Sequence, residues 1–121
     1  MTEFNELKGC LYQGFSVNPD GYFLTINTNK GDFVFKAEGD CCANAYIAEY
    51  PDTEENSACK NSIIEWFEGD GVTSTNDDES YGETVDTEFY TLQTDTNFIR
   101  FTLRTEHNGY YSGWLELVSK P

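Results

Sequence analysis

A chain of 121 residues with 22 acids, seven Lys and Arg and a formal net charge of −15 has material for one modest core and not two. Nine Phe, eight Tyr and two Trp within a 38% hydrophobic total exclude a disordered polyelectrolyte, because disorder requires low hydrophobicity as well as high charge. A field of this sign repels nucleic acid and anionic membrane and attracts basic surfaces or cations.

In chain order, Thr2 to Gly9 predicts one or two helical turns: Thr2 can cap, Phe4 and Leu7 share a face, and Gly9 can end the helix. Cys10 to Val17 reads as extended. Asn18-Pro19-Asp20-Gly21 is a turn, since Pro presets φ and Gly accepts a positive one. Tyr22 to Ile26 and Phe33 to Ala37, joined by the turn Asn27 to Gly31, complete an antiparallel meander. Ala43 to Tyr50 fits either strand or helix, because a short apolar run has no decisive period. Pro51 to Ser57 reads as loop and Ser62 to Phe67 as strand. Gly69 to Tyr81 is rich in Gly, Asp, Ser and Thr, with Val72 its one aliphatic side chain, which predicts a mobile loop over about 69–82. Thr87 to Thr94 and Asn97 to Thr105 are strands around an Asp95-Thr96 turn. In the second of these, Ile99, Phe101 and Leu103 alternate with Arg100, Thr102 and Arg104, the pattern of a strand with one wet face. Glu106 to Gly109 then turns the chain and Tyr111 to Val118 closes the sheet. The expected fold class is mainly β (or α+β). It is an antiparallel sheet of six to eight strands, curled into a partial barrel or sandwich, with one or two short helices: one at the N-terminus, and a second near Ala43 to Tyr50 if that segment is helix rather than strand. Residues 1–121 form a single acidic β-rich domain in this reading.

Location and chemistry follow from what the residues can do. The N-terminal stretch lacks the apolar region of a secretory signal, and no apolar run approaches the ~18 residues of a membrane span. A cytoplasmic setting is therefore expected, with Cys10, Cys41, Cys42 and Cys59 as free thiols. Cys41 and Cys42 are adjacent, so on a strand they point to opposite faces. No two cysteines have the spacing of two to four residues that zinc prefers, and His107 is the one histidine, so no metal or other cofactor is expected. Phosphate-binding, dinucleotide, zinc-protease and hydrolase motifs are all missing. From Asp70, a calcium loop would need Gly where Thr75 stands and Glu where Tyr81 stands. His107 falls in the expected turn and reads as an exposed turn residue rather than a nucleophile's base. The protein is expected not to be an enzyme.

The acids are unevenly placed. Fifteen of the 22 lie between Glu38 and Glu88, where Lys60 is the one base, so that stretch holds −14 of the −15. Within it, Asp77, Asp78 and Glu79 form the densest run. Two short motifs also stand out. In Asp40-Cys41-Cys42, the Asp can cap a turn while one Cys packs inward, or the three can floor a ligand pocket. In Asn108-Gly109-Tyr110-Tyr111, Asn-Gly suits a tight hairpin and the two tyrosines point to opposite faces. One is then available to a partner, together with Trp66 and Tyr81.

Glu38 to Ile47 and Arg104 to Ser112 resemble the two landmarks of a family of small phage and bacterial domains of unknown function. Those domains carry an Asp-Cys-Cys element after a β-hairpin, then an aromatic strand comparable to Glu88 to Leu92, then a closing Asn-Gly-Tyr-Tyr-Ser turn. The resemblance spans roughly residues 10 to 118. Departures are the acidic stretch from Thr73 to Glu83, and Ala43, where an acidic residue is common. The resemblance implies a fold and a phage origin, and it carries over no catalytic residue.

The leading expectation is a non-enzymatic, phage-encoded accessory protein that binds a host protein with a basic surface and inhibits it, as a host-defence inhibitor does, through its acidic face. Direct nucleic-acid binding and membrane binding are not expected. The alternative is a small-ligand-binding domain with a pocket near Asp40, Cys41, Cys42 and Tyr110. The net charge disfavours anionic ligands unless Lys36, Arg100 and Arg104 cluster. A hydrolase using paired carboxylates is the third class.

Overall fold

Alternation of apolar and polar residues sets the architecture. In β2 (Phe23–Thr28) Leu24 and Ile26 are buried, in β3 (Gly31–Gly39) Phe33, Phe35 and Ala37, and the residues between them face outward. A strand patterned this way is driven to cover one face against another layer. The computed structural model describes residues 3–39, 43–76, 84–107 and 113–121. Among them, β1 (Tyr12–Val17), β2, β3 and β8 (Gly113–Ser119) form one antiparallel sheet in that spatial order. The second sheet runs β4 (Asn44–Glu49), β7 (Phe98–His107), β6 (Thr84–Thr94) and β5 (Ile64–Asn76). Strands β5, β6 and β7 are a meander, and β4 lies beside β7, which is Greek-key order. The expected mainly-β class holds, and its form is two facing four-stranded sheets with no closed barrel among the described residues.

The core lies between the sheets. A 3-10 helix over Glu3–Leu7 drives Phe4 and Leu7 into one end of it. The Phe4 ring stacks on Phe67 at 5.2 Å and meets Phe35 edge-on at 5.1 Å. Phe67 in turn meets Phe35 at 5.2 Å and Phe101 at 6.2 Å. These rings join both sheets, and each fully buried aromatic contributes about 1.5–3 kcal/mol of transfer free energy.

Three further ties stitch the layers. An isolated bridge pairs Leu11 with Ile63. Beside it, the Gly9 N–H donates to the Ile64 carbonyl and the Ile64 N–H to the Cys10 carbonyl, both at 2.8 Å. At Gly21 the carbonyl accepts from the Ile47 N–H at 2.7 Å. That residue has φ +79°, and a Cβ there would sit 2.9 Å from the Ile47 carbonyl oxygen, so the Asn18–Gly21 turn can dock on β4 only with glycine. Deeper in, the Leu115 N–H of β8 donates to the Tyr90 hydroxyl of β6 at 3.2 Å.

Three local expectations are corrected, and the open choice between strand and helix over Ala43 to Tyr50 is decided in favour of strand β4. The helix lies just beyond it: α1 (Thr53–Cys59) begins inside the stretch read as loop, where Asp52 accepts from the Glu55 N–H and the Glu55 side chain accepts from the Asp52 N–H. This reciprocal capping box satisfies two donors at the helix start. Residues Gly69 to Asn76 are strand rather than loop, pairing with β6 from Gly69↔Tyr90 to Asn76↔Thr84. Their glycines mark a bulge between Gly69 and Val72, where Asp70 accepts from the Phe89 N–H and Glu88 from the Gly71 N–H, both at 3.3 Å. The rest of the expected mobile loop, 77–82, lies outside the described residues. Finally, β7 runs through Glu106 and His107, which the sequence placed in a turn; Asn108 and Gly109 lie outside the described residues.

Candidate functional site

All nine nominated site residues, Asp40, Cys41, Cys42, Asp77, Asp78, Glu79, Asn108, Tyr110 and Tyr111, lie outside the described residues, as does Tyr81. The strand ends that bracket them are described, and they converge. Gly39 pairs with Gly113, Asn44 with Glu106, Asn76 with Thr84, and Thr84 with His107. One end of the sandwich therefore anchors all three nominated stretches. There the sheets approach so closely that a Cβ on Gly113 would fall 2.1 Å from Thr105 Oγ1.

The three cations that would have had to cluster for an anionic ligand do not. Lys36 lies between the inward-facing Phe35 and Ala37, hence on the outer face of the first sheet, where it pairs with Glu38 at 3.0 Å. Arg100 and Arg104 lie on the outer face of the second sheet, and Arg104 pairs with Glu49 at 3.3 Å. Arg100 has no ion pair among the described residues. Its guanidinium lies instead 5.6 Å from the ring centroids of both Phe89 and Phe98. Phe98 is 54% exposed, Trp66 39% and Phe89 38%, so three large aromatics and one arginine share a wet sheet face. Aromatic residues and Arg are enriched in protein interfaces relative to the rest of the surface. Trp66 stood out in the sequence. Phe89 and Phe98 did not, although Phe98 stands in phase with Arg100, Thr102 and Arg104, the outward set of β7.

Along the neighbouring edge, β5 bears exposed Glu65, Glu68 and Asp70, none of them in an ion pair among the described residues. Opposite that edge, an open trough of about 460 Å³ runs between the Asn18–Gly21 turn and β4, with Tyr46, Tyr50 and Arg104 on its walls. Enclosure of the kind that small-ligand sites provide is lacking there.

Cys10 and Cys59 are free thiols, both buried. Burial pushes the Cys59 thiol above its ordinary value, against an opposing hydrogen bond with Thr94, which is the reverse of what activates a cysteine. Among the described residues, no group of three His, Cys, Asp or Glu is placed to hold a metal ion. None of their helices is long and apolar enough to cross a membrane.

Comparison with known proteins places the chain. No solved structure matches it. An uncharacterized protein of Acanthamoeba polyphaga mimivirus is 30% identical over 96 residues, covering 78% of this chain and 73% of that protein. A family model described as "Domain of unknown function (DUF7448)" matches residues 9–117, nearly the whole sandwich from the Gly9 bridge to β8, and the chain belongs to that family.

Proposed function

We propose that this domain is a non-enzymatic binding module: a virus-encoded accessory protein that engages a basic surface on a host protein in the cytosol and inhibits that protein. The observation that carries the reading is the row of exposed carboxylates on β5. Glu65, Glu68 and Asp70 stand along a sheet edge with no cation paired to them among the described residues. In sequence the row leads into Asp77, Asp78 and Glu79. Unpaired carboxylates in line repel one another, and a net charge of −15 exceeds the magnitude of about 2–8 that keeps a small domain soluble. A basic partner relieves that repulsion. The viral relative supports a virus-encoded role, and a phage origin is the narrower form of the same proposal.

The test is capture of host proteins on the immobilised full chain, followed by association kinetics with the identified partner. Electrostatic steering makes the on-rate fall steeply as the Debye length shrinks from ~10 Å at 0.1 M toward ~3 Å at 1 M salt. Neutralising Asp77, Asp78 and Glu79 together lowers the on-rate and leaves the melting temperature unchanged or higher. A partner that binds equally well across that salt range and ignores the triple variant overturns the acidic-surface reading.

A further inference from the structure

Cross-strand register gives the outer face of the second sheet a pattern that its composition does not reveal. Trp66, Gln93 and Phe98 form one row across β5, β6 and β7, and Glu68, Thr91 and Arg100 form the next. Each row has β6 at its centre. In the second row a carboxylate and a guanidinium stand at opposite ends, two strand spacings of ~4.8 Å apart, or roughly 10 Å. They are too distant to pair within the chain, and neither has an ion-pair partner among the described residues. Meanwhile the two phenyl rings flanking Arg100 hold its side chain over the face, which lowers the entropy lost on binding.

We propose that this face docks on the same face of a second copy, about a two-fold axis running along β6. Rotation about that axis carries each row onto itself with its ends exchanged. Arg100 then lies opposite Glu68 of the partner subunit, and Trp66 opposite Phe98 of the partner subunit. Phe89, on the axis strand, meets its own equivalent. The row is antisymmetric in charge and symmetric in aromatic content about β6, and that is the requirement for an isologous interface. An unrelated partner would have to supply the mirror of this pattern, whereas a second copy supplies it without further design. Sheets packed face to face sit ~10 Å apart with strands aligned to within about 30°, a gap that two opposed layers of side chains fill. The patch is three strands wide and about five residues long, roughly 15 Å by 17 Å. That is smaller than the ~800 Å² per partner of a standard interface, so the dimer dissociates in the micromolar range or above.

Salt separates this association from the one proposed above. Two copies each carrying −15 repel at long range, and that repulsion shrinks with the Debye length, while ion pairs inside the interface are screened much less. Self-association therefore strengthens as salt rises, whereas a basic partner is released.

Sedimentation equilibrium of the full chain, from about 1 µM to about 1 mM, tests the proposal at low and high salt. The expected result is a monomer–dimer equilibrium that tightens with salt, with a shift in tryptophan emission that follows the dimer fraction in the parent and in Trp114→Phe. Arg100→Glu and Glu68→Arg each place like charges face to face and raise the dissociation constant by roughly 30-fold or more. The double swap R100E/E68R restores it to within about threefold. Phe98→Ser, which leaves every charge in place, weakens the dimer independently and serves if a charge variant fails to fold. A chain that stays monomeric at high salt overturns the proposal. So does a dimer indifferent to R100E, or a double swap that does not recover association while it keeps the melting temperature of the single variants.

Discussion

Tyr90→Phe removes one oxygen from the centre of the molecule and should be felt throughout it. Tyr90 is 2% exposed and Leu115 1%, and the Leu115 N–H donates to the Tyr90 hydroxyl at 3.2 Å. Since β8 is an edge strand of its sheet, this N–H points away from β3 and has no neighbouring strand to meet. The phenol from the opposite sheet takes the place of one. Substitution by Phe keeps the ring and its packing on Phe4 and Phe67 but leaves a buried donor without an acceptor, at a cost of about 1–3 kcal/mol. Taking about 2.1 cal/mol/K per residue for the unfolding entropy over 121 residues gives roughly 0.25 kcal/mol/K, so the melting temperature falls by roughly 4–12 °C. Differential scanning calorimetry measures it directly. Tyr12→Phe is the control. The Tyr12 hydroxyl donates to Asn56 Oδ1, and Asn56 is only half-buried, so water can replace the lost partner and the cost should stay near 1 kcal/mol or below. A Tyr90→Phe variant that melts within about 1 °C of the parent would refute the claim that this hydroxyl satisfies the edge of β8.

Two other expectations rest on the same close approach of the sheets. Burial first, then the negative charge of Cys59 for Tyr12 and of Glu88 for Tyr90, raises both phenols above their ordinary 10.0, while the Leu115 N–H lowers Tyr90 in part. The unfolded chain sheds these protons near pH 10 and the folded chain keeps them, so the stability that the two phenols contribute is full below that pH and is lost as pH rises past it. Absorbance titration should show both tyrosines ionising only as the fold is lost, and Y12F/Y90F should flatten the alkaline decline. Gly113→Ala places a Cβ 2.1 Å from Thr105 Oγ1 and 2.9 Å from its Cγ2, which costs about 1–3 kcal/mol by overpacking. In a Thr105→Ala background the same substitution should cost markedly less by chemical denaturation, and equal costs in the two backgrounds would rule out this contact as the cause.

Where the sequence was legible, a periodic signal was strong and local. β2, β3 and β7 each carry a run of alternation (Leu24 to Ile26, Phe35 to Ala37 and Ile99 to Leu103), and all three were read as strands. Two stretches that were misread lack it for distinct reasons. α1 has seven residues, too few to display a 3.6-residue period, so its one cue was the Asp52–Glu55 capping box directly after Pro51. The far end of β5, Thr73-Ser74-Thr75-Asn76, has no apolar member to alternate. It is strand because the ladder to β6 continues from Val72↔Glu88 to Asn76↔Thr84, and that pairing belongs to another part of the chain.

The candidate surface was illegible for the same reason carried one step further. An exposed phenylalanine in a strand looks like a core residue, because hydrophobicity is a property of the residue and exposure is a property of the packing. Arg100 was legible as an outward residue, since Ile99 and Phe101 flank it. Its significance depends on what stands two strands away. Only the register Glu68↔Thr91 and Thr91↔Arg100 sets the arginine in one row with a glutamate 32 positions earlier in the sequence, and a one-residue slip of either strand would turn one of them to the opposite face. The bulge between Ile64 and Trp66 is where that phase is decided. It inserts Glu65 as an extra residue, so that Ile64 and Phe67 are both buried although they are three apart, and Trp66 and Glu68 turn outward together. Without that bulge, Ile64 and Trp66 would share the inner face, and the row that opposes Glu68 to Arg100 would not exist.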